Sequence, residues 1–242
     1  MLMNSPSHPA VETKDLVRSF GNTKVLRGLD IKVETGTTSV IFGPNGAGKT
    51  TLIKTLAGVL RPTSGRVQIE GLDIEERAQE ARMRLGLVSH QSFLYGTLSA
   101  EENLTFYGRM YGVAGLKERV SEMLVLVGLA TRKSDRVATF SRGMLQRLSL
   151  GRALLHRPSV LLLDEPDTGL DPQALAAMWD IMRRDAPART IIFTSHNFER
   201  ALAAANEIMV LVKGKLAWRA PNHNLTLAAL KESYAQATGG QS

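Results

Sequence analysis

Short apolar segments recur along the chain and are separated by stretches of polar residues, glycine and proline. Apolar or alternating segments of this length predict β-strands. The predicted strands lie at residues 11–17, 31–33, 38–42, 67–69, 85–88, 160–163, 190–194 and 208–212. Helix-like stretches follow several of them, and the one at 172–185 begins with a proline, a residue favoured in a first helical turn. This alternation predicts an α/β domain with a mainly parallel sheet.

The region between residues 99 and 156 has a different pattern. It reads as consecutive helices, at 99–112, 115–128 and 141–156, with no convincing strand between them. A helical subdomain inserted into the α/β core at residues 91–157 is the simplest account. Around it we expect a flexible tail at 1–10, one domain over 11–233 and a frayed end at 234–242, with the last helix at 225–237.

A glycine-rich stretch follows the predicted strand 38–42 and precedes a predicted helix at 49–60. Gly43 to Thr50 match the pattern G-x-x-x-x-G-K-[ST], in which backbone N–H groups surround phosphate oxygens and the helix N-terminus adds its positive end. In this pattern the lysine reaches the β- and γ-phosphates and the hydroxyl ligates Mg²⁺. The predicted nucleotide-binding residues are Gly43, Pro44, Asn45, Gly46, Ala47, Gly48, Lys49, Thr50 and Thr51.

Two carboxylates end the predicted strand 160–163. Asp164 is placed to hold Mg²⁺ at the carboxyl edge of the sheet, and Glu165 points elsewhere and can polarise an attacking water. Taken alone, the pair could simply close a strand before a proline turn. Beside a phosphate loop, the pair indicates nucleotide hydrolysis.

Composition narrows the classes of protein that remain. The 242 residues include no cysteine, which excludes disulfides, thiolate metal sites and Cys-attached haem and is consistent with a reducing compartment. No apolar run approaches the roughly 18 residues of a membrane-spanning helix, and the first ten residues lack the pattern of a signal peptide. The net charge of +7 is compatible with a solubilising surface, with binding to anionic lipid or with binding to nucleic acid. No basic stripe is interleaved with aromatic residues, which argues against binding of single-stranded nucleic acid.

Further residues give the chain a family resemblance, from about residue 11 to residue 218. The segment "FSRGMLQRLSLGRALLHRP" resembles the signature of ATP-binding-cassette (ABC) ATPases, usually written L-S-G-G-Q. Ser141 and Gly143 match it, whereas Phe140, Arg142 and Met144 depart from it. Ser141 alone would be read as an ordinary helix N-cap. The resemblance implies a P-loop NTPase (RecA-like) core, a small antiparallel β subdomain and an inserted helical signature subdomain.

Four more positions match the family by order and context. Phe20 resembles the aromatic residue that stacks on adenine, and Gln91 the glutamine that contacts magnesium and links the core to the helical subdomain. Asp171 resembles a loop aspartate that acts across a dimer, and His196 the histidine that senses the γ-phosphate. Each position also has an ordinary structural explanation. Phe20 could be a core residue and Gln91 a polar turn residue, while Asp171 could be a helix N-cap and His196 a structural histidine.

The resemblance also implies a mechanism and partners. Two chains would enclose two MgATP molecules, with Glu165, His196 and Lys49 as catalytic residues and Thr50, Gln91 and Asp164 around the metal. Ser141 of the opposite chain would complete each site. The expected partners are a second ATPase subunit and integral membrane subunits, with peripheral attachment to the cytoplasmic face of the inner membrane and no nucleic acid.

Within this family, the segment "SHQSFLYGTLSAEENLTFYGRMYGV" is most similar to the ATPase subunit of the bacterial haem exporter of cytochrome c maturation. Exporters of drugs, lipids or polysaccharides remain an alternative, and a soluble ABC protein is a further one. Residues 93–111 would lie near the groove that receives a membrane subunit, or else fill the core of the helical subdomain. His90 and His156 are interpreted as ordinary residues rather than haem ligands.

Overall fold

The computed structural model describes residues 8–166, 172–185 and 189–240. The strands are β1 (Val11–Phe20), β2 (Thr23–Val33), β3 (Thr38–Phe42), β4 (Ser64–Ile69), β5 (Leu72–Asp73), β6 (Leu85–Val88), β7 (Val160–Leu163), β8 (Thr190–Thr194), β9 (Glu207–Val212) and β10 (Lys215–Pro221). The α-helices are α1 (Lys49–Leu56), α2 (Ala78–Met83), α3 (Ala100–Met110), α4 (Leu116–Leu126), α5 (Arg142–Leu154), α6 (Pro172–Asp185), α7 (Phe198–Ala204) and α8 (Leu227–Thr238).

The central sheet has six strands in the order β10-β9-β3-β8-β7-β6. All neighbouring pairs from β9 to β6 are parallel, and β10 pairs antiparallel with β9. Every residue of β7 and β8 is buried, as expected for parallel strands covered on both faces. The carboxyl ends of β3, β6, β7 and β8 therefore meet at one edge, where the phosphate loop and the two carboxylates follow.

A second sheet has the order β2-β1-β4-β5, and all its pairs are antiparallel. It confirms the predicted fold class: a mainly parallel sheet, a small antiparallel β subdomain and inserted helices. Its buried face shares a hydrophobic cluster with α1, in which Leu16, Leu26, Leu52 and Ile53 are fully buried. This packing holds the turn between β1 and β2 beside the phosphate loop.

Helices α3, α4 and α5 form the insertion between β6 and β7. Ser99 and Glu102 form a reciprocal capping box at the start of α3. The buried guanidinium of Arg119 donates to the backbone carbonyls of Leu154 and Leu155, which are among the free acceptors at the end of α5. The insertion is therefore tied internally by polar contacts as well as by its apolar core.

The structure corrects several predicted boundaries. Helix α1 ends at Leu56 rather than at residue 60, because Gly58 takes a left-handed conformation (φ +67°) that terminates the helix. Helix α8 ends at Thr238, one residue beyond the predicted helix at 225–237, so any frayed end begins after residue 238 rather than at residue 234. Ala10 is fully buried and its carbonyl accepts a hydrogen bond from the Glu70 backbone, so the flexible tail was extended too far.

Within residues 8–166, 172–185 and 189–240, none of the helices has the length and hydropathy needed to cross a bilayer.

Candidate functional site

The phosphate loop joins β3 to α1 and lies tightly against β9. A Cβ atom on Gly43 would come within 2.2 Å of the carbonyl oxygen of Leu211, so only glycine fits there. Gly48, with φ +104°, adopts a left-handed conformation at the start of α1. The loop is closed by a hydrogen bond from the Gly214 N–H to the carbonyl of Ala47 (3.0 Å). These contacts fix the loop at the N-terminus of α1, whose first turn contains no acidic residue.

Lys49 is folded back into the loop. Its Nζ donates to the carbonyl oxygens of Gly43 (2.6 Å) and Pro44 (3.2 Å), and the residue is only 6% exposed. Burial lowers the pKa of the Lys49 ammonium, and the negative charges of Glu165 and Asp164 partly offset that effect. A buried cation beside a glycine-rich loop provides a charge that an incoming phosphate can neutralise.

Asp164 occupies the position after β7 and contacts two hydroxyl groups. Its Oδ1 accepts hydrogen bonds from Thr50 Oγ1 (3.0 Å) and Thr194 Oγ1 (3.1 Å). Its Oδ2 is buried and has no hydrogen-bond partner in the described part of the chain. A carboxylate oxygen left free beside a threonine hydroxyl fits the all-oxygen coordination that Mg²⁺ prefers. Within the described ranges, no three or more histidine, aspartate or glutamate side chains are arranged so that they could hold a metal ion by themselves.

Glu165 lies between two imidazole rings. His196 Nε2 is 2.8 Å from Glu165 Oε1, and His90 Nε2 is 3.6 Å from Glu165 Oε2. Burial alone raises the pKa of the Glu165 carboxyl, but the hydrogen bond with His196 and the charges of His196, His90 and Lys49 outweigh it and lower the pKa. Glu165 is therefore a carboxylate at neutral pH, as a proton acceptor requires.

Two residues of this network were missed by the sequence analysis. The hydroxyl of Thr194 donates to Asp164 and accepts from the backbone N–H of Glu165 (2.8 Å), so it fixes the Asp164 carboxylate and the backbone of Glu165. His90 had been interpreted as an ordinary residue, yet it faces Glu165. A polar residue at the end of a fully buried strand was the available signal for Thr194, whereas nothing in the sequence singled out His90.

Phe20 lies at the end of β1 and is 46% exposed, which excludes the alternative of a core residue. It pairs with Thr23 across the β1–β2 turn. Val25, two residues after Thr23 in β2, lies against the phosphate loop: a Cβ atom on Gly48 of that loop would be 3.4 Å from Val25 Cγ1. Two residues of a strand span about 7 Å, so the Phe20–Thr23 pair lies about that far along β2 from Val25.

Gln91 is exposed and lies three residues after the end of β6 at Val88. The Val88 carbonyl accepts a hydrogen bond from the Asp164 N–H, which brings the end of β6 next to the end of β7. The Gln91 side chain makes no hydrogen bond with any residue that the structure describes, although it lies at the same edge of the sheet as Asp164. Asp171 lies outside the described residues.

Ser141 is the N-cap of α5, and its Oγ accepts a hydrogen bond from the Met144 N–H (3.3 Å). Ser141 and Arg142 are exposed, and a Cβ atom on Gly143 would meet nothing within 4 Å. Among the described residues, no hydrogen bond or ion pair joins Ser141 or Gly143 to the phosphate loop. The chain thus brings together Lys49, Thr50, Asp164, Glu165 and His196, and leaves the signature residues on a separate open surface.

Comparison with known proteins agrees with this geometry. Residues 26–168, more than half of the chain, match the family model described as ABC transporter. The chain is similar to the linearmycin resistance ATP-binding protein LnrL of Bacillus subtilis, with 33% identity over 209 residues, 85% of this chain and 67% of that protein. It is also similar to the daunorubicin resistance ATP-binding protein DrrA3 of Streptomyces coeruleorubidus (37% identity, 86% of this chain, 66% of that one). A third relative is the Nod factor export ATP-binding protein I of Cupriavidus metallidurans (36% identity, 89% and 72%). The chain thus spans about two thirds of the length of these relatives.

Solved structures give the same result. One described as the ATP-binding subunit of an ABC transporter superposes with a TM-score of 0.85 at 27% identity, covering 94% of this chain and 99% of that one. An ATP-bound bacterial Atm1-family ABC exporter superposes with a TM-score of 0.81 at 27% identity, covering 98% of this chain and 43% of that one. The chain belongs to the ABC transporter family, as an ATP-binding subunit that hydrolyses ATP.

Proposed function

We propose that this chain binds MgATP at the phosphate loop and hydrolyses it in a dimer of two cassettes, to power export through separate membrane subunits. The observation that carries the proposal is the connected set of Lys49, Thr50, Asp164, Glu165 and His196 at one sheet edge. Each of these groups has the chemistry and the position that cleavage of a terminal phosphate requires.

Each side chain has a specific role in this proposal. The N–H groups of the loop and the Lys49 ammonium bind the phosphates, for which Lys49 leaves the carbonyls of Gly43 and Pro44. The Glu165 carboxylate accepts a proton from the attacking water, and His196 contacts the terminal phosphate. Thr50 and Asp164, with Gln91 at the same edge, would hold Mg²⁺, which when bound neutralises phosphate charge.

The dimer is inferred from the separation of the signature residues. Ser141 and Gly143 form the open N-terminus of a 13-residue helix and present a hydroxyl and free N–H groups to solvent. They do not reach the chain's own phosphate loop, so we place them against the γ-phosphate held by a second copy. Loss of that phosphate would remove the shared anion and open the dimer. Asp171 is proposed to act across the same interface.

The membrane partner would dock on the helical insertion near Gln91. Within residues 93–111, Asn103 and Leu104 are fully buried and belong to the core of the helical insertion. Tyr95 and Phe106 are 48% and 38% exposed, so they are available for contact with a membrane subunit. Tyr95 and Phe106 pack edge to face with 5.1 Å between ring centroids, so they form a preassembled aromatic surface. Such a surface suits a protein interface, and attachment of the chain at the cytoplasmic face of the inner membrane would follow from it.

Two kinds of cargo remain to be separated. The sequence resemblance predicts haem export for cytochrome c biogenesis. The relatives named above concern linearmycin resistance, daunorubicin resistance and Nod factor export, and no haem exporter is among them. Those names favour the alternative, export of a compound other than haem such as a drug, and we take it as the better supported of the two.

Deletion of the gene in its native host tests this choice. Loss of c-type cytochromes would support haem export, whereas normal cytochromes with increased sensitivity to a drug would support the alternative. Recovery of the chain in the membrane fraction should require co-expression of an integral partner, and tight association with ribosomes or DNA in its place would contradict the transporter assignment.

A further inference from the structure

The side chain of Arg18 covers one face of the Phe20 ring. The guanidinium carbon lies 4.5 Å from the ring centroid, within the range of a favourable cation–π contact. Phe20 is nearly half exposed, and the contact with Arg18 restricts the rotation of its ring.

The Arg18 guanidinium is also bonded to the backbone of the connection between α1 and β4. Its Nη1 donates to the carbonyl oxygen of Arg61 (2.9 Å), in the connection between α1 and β4. The same connection is bonded to β1 through Thr63, whose N–H donates to the Val17 carbonyl (2.8 Å) and whose Oγ1 accepts from the Ser19 N–H (2.9 Å). The guanidinium is therefore fixed to a backbone that follows the phosphate-binding helix.

No carboxylate neutralises Arg18 within residues 8–166, 172–185 and 189–240. The guanidinium contacts a ring face and a carbonyl, and its Nε is buried with no hydrogen-bond partner. An arginine that served only to join β1 to a loop would gain more from an acidic partner. Its placement on the ring points to a function that involves Phe20.

We propose that Arg18 is a positioning residue for nucleotide binding. It holds the Phe20 ring in place, so that adenine stacks on the opposite face and Phe20 lies between the base and the guanidinium. This inference rests on the proposed role of Phe20 in stacking. Fixing the ring before binding lowers the conformational entropy that binding costs, so Arg18 increases affinity without touching the nucleotide.

The test compares a ligand that has a base with one that lacks it. Calorimetric titration of the full chain with MgADP and with magnesium pyrophosphate avoids both hydrolysis and the ATP-bound dimer. Phe20→Ala should weaken MgADP binding about 10-fold or more and leave pyrophosphate binding unchanged. Arg18→Ala should weaken MgADP binding about 3- to 10-fold, also without an effect on pyrophosphate. In a chain that already carries Phe20→Ala, Arg18→Ala should have no further effect on MgADP affinity. In the chain that keeps Phe20, Arg18→Lys should bind MgADP more tightly than Arg18→Ala does.

Lys24→Ala is the matched control, because it removes a positive charge from the facing strand β2, and no cation–π contact among the described residues joins Lys24 to the ring. It should not change the ratio of the two affinities. Equal weakening of MgADP and pyrophosphate by Arg18→Ala, or an undiminished effect in the absence of Phe20, would overturn the proposal. If Phe20→Ala leaves the ratio of MgADP to pyrophosphate affinity unchanged, Phe20 does not stack on adenine, and the proposed role of Arg18 fails with it. If Phe20→Ala changes that ratio and Arg18→Ala does not, the stacking role of Phe20 stands and only the role of Arg18 fails.

Discussion

The sheet edge and the signature helix differ in how complete each is within one chain. At the sheet edge, Thr50, Asp164, Thr194, Glu165 and His196 form a continuous series of hydrogen bonds of 2.8 to 3.1 Å. At the start of α5, the bonds of Ser141 within the described part of the chain are to its own helix, and Gly143 faces open space. The first region is organised before any ligand arrives, whereas the second offers donors that find no acceptor outside α5 among the described residues.

This difference assigns the two regions different tasks. A preorganised set of charges can stabilise a transition state without reorganisation at the moment of reaction. An open helix N-terminus gains stability only when an anion reaches it. We infer that the sheet edge holds the nucleotide and the signature helix detects that a second, loaded chain is present.

Glu165→Gln should give the largest effect, because it removes the proton acceptor and preserves the shape of the site. We expect steady-state ATPase activity to fall about 100- to 10,000-fold, with ATP affinity retained and an ATP-bound dimer accumulating. Glu199→Gln, in the exposed first turn of α7, is the control and should be fully active. Unchanged ATPase activity in Glu165→Gln would refute its role as the base.

Lys49→Ala should follow, with loss of ATP binding measured by calorimetry and a fall in activity of about 100- to 1,000-fold. The physical reason is the loss of the buried cation at the phosphate loop. Lys54→Ala in the same helix changes the charge equally at a position outside the loop and should bind ATP normally. Normal ATP binding by Lys49→Ala would show that the loop is not the nucleotide site.

Ser141→Ala and Ser99→Ala form a matched pair within the helical insertion. Both serines are N-caps, so each substitution should lower the free energy of unfolding by about 1 kcal/mol, measured by urea unfolding. Only Ser141→Ala should reduce ATPase activity, by about 10- to 100-fold, because it alone loses a hydrogen bond to a charged phosphate. Equal ATPase activities in the two variants would remove the signature helix from the mechanism.

His156 should have the smallest effect on ATPase activity, because it lies outside both regions and influences only stability. Its ring stacks on Tyr111 with 3.8 Å between centroids, and its Nε2 lies 2.9 Å from the carbonyl of Leu85 in β6. Burial lowers the pKa of His156 to about 4, below its ordinary value of 6.5. Because the unfolded chain binds the proton first, stability present above pH 6.5 is lost as the pH falls towards 4.

Urea unfolding between pH 7.5 and 5 measures that loss. The His156 contribution should be about 2 kcal/mol over this range, and His156→Gln should show a correspondingly flatter dependence. ATPase activity at neutral pH should be the same in both proteins. Identical pH dependence of stability in the two would contradict the buried, neutral state of His156.

The sequence predicted the parts of the site that depend on local pattern. Gly43 to Thr50 are recognisable because a tight anion-binding turn needs glycine at fixed spacing, and β7 and β8 are recognisable because fully buried parallel strands read as apolar runs. Ser141 was predicted as an N-cap from its residue type and position, and it is one.

The parts that could not be predicted depend on pairing between distant segments. Thr194 reaches Asp164 only because β7 and β8 pair with Leu163 opposite Phe193, and a single sequence does not specify that register. The contact between Arg18 and Phe20 likewise depends on side-chain direction at the edge of β1. Helices α2 and α7, of six and seven residues, are too short to show a helical period, and they were missed.

The central claim is that hydrolysis needs two chains, and the dependence of ATPase activity on chain concentration tests it most directly. Specific activity and light scattering should be measured on the same dilution series of the isolated chain at saturating MgATP. We predict that specific activity falls in proportion to concentration once monomers predominate. A specific activity that stays constant where scattering reports only monomers would contradict the account.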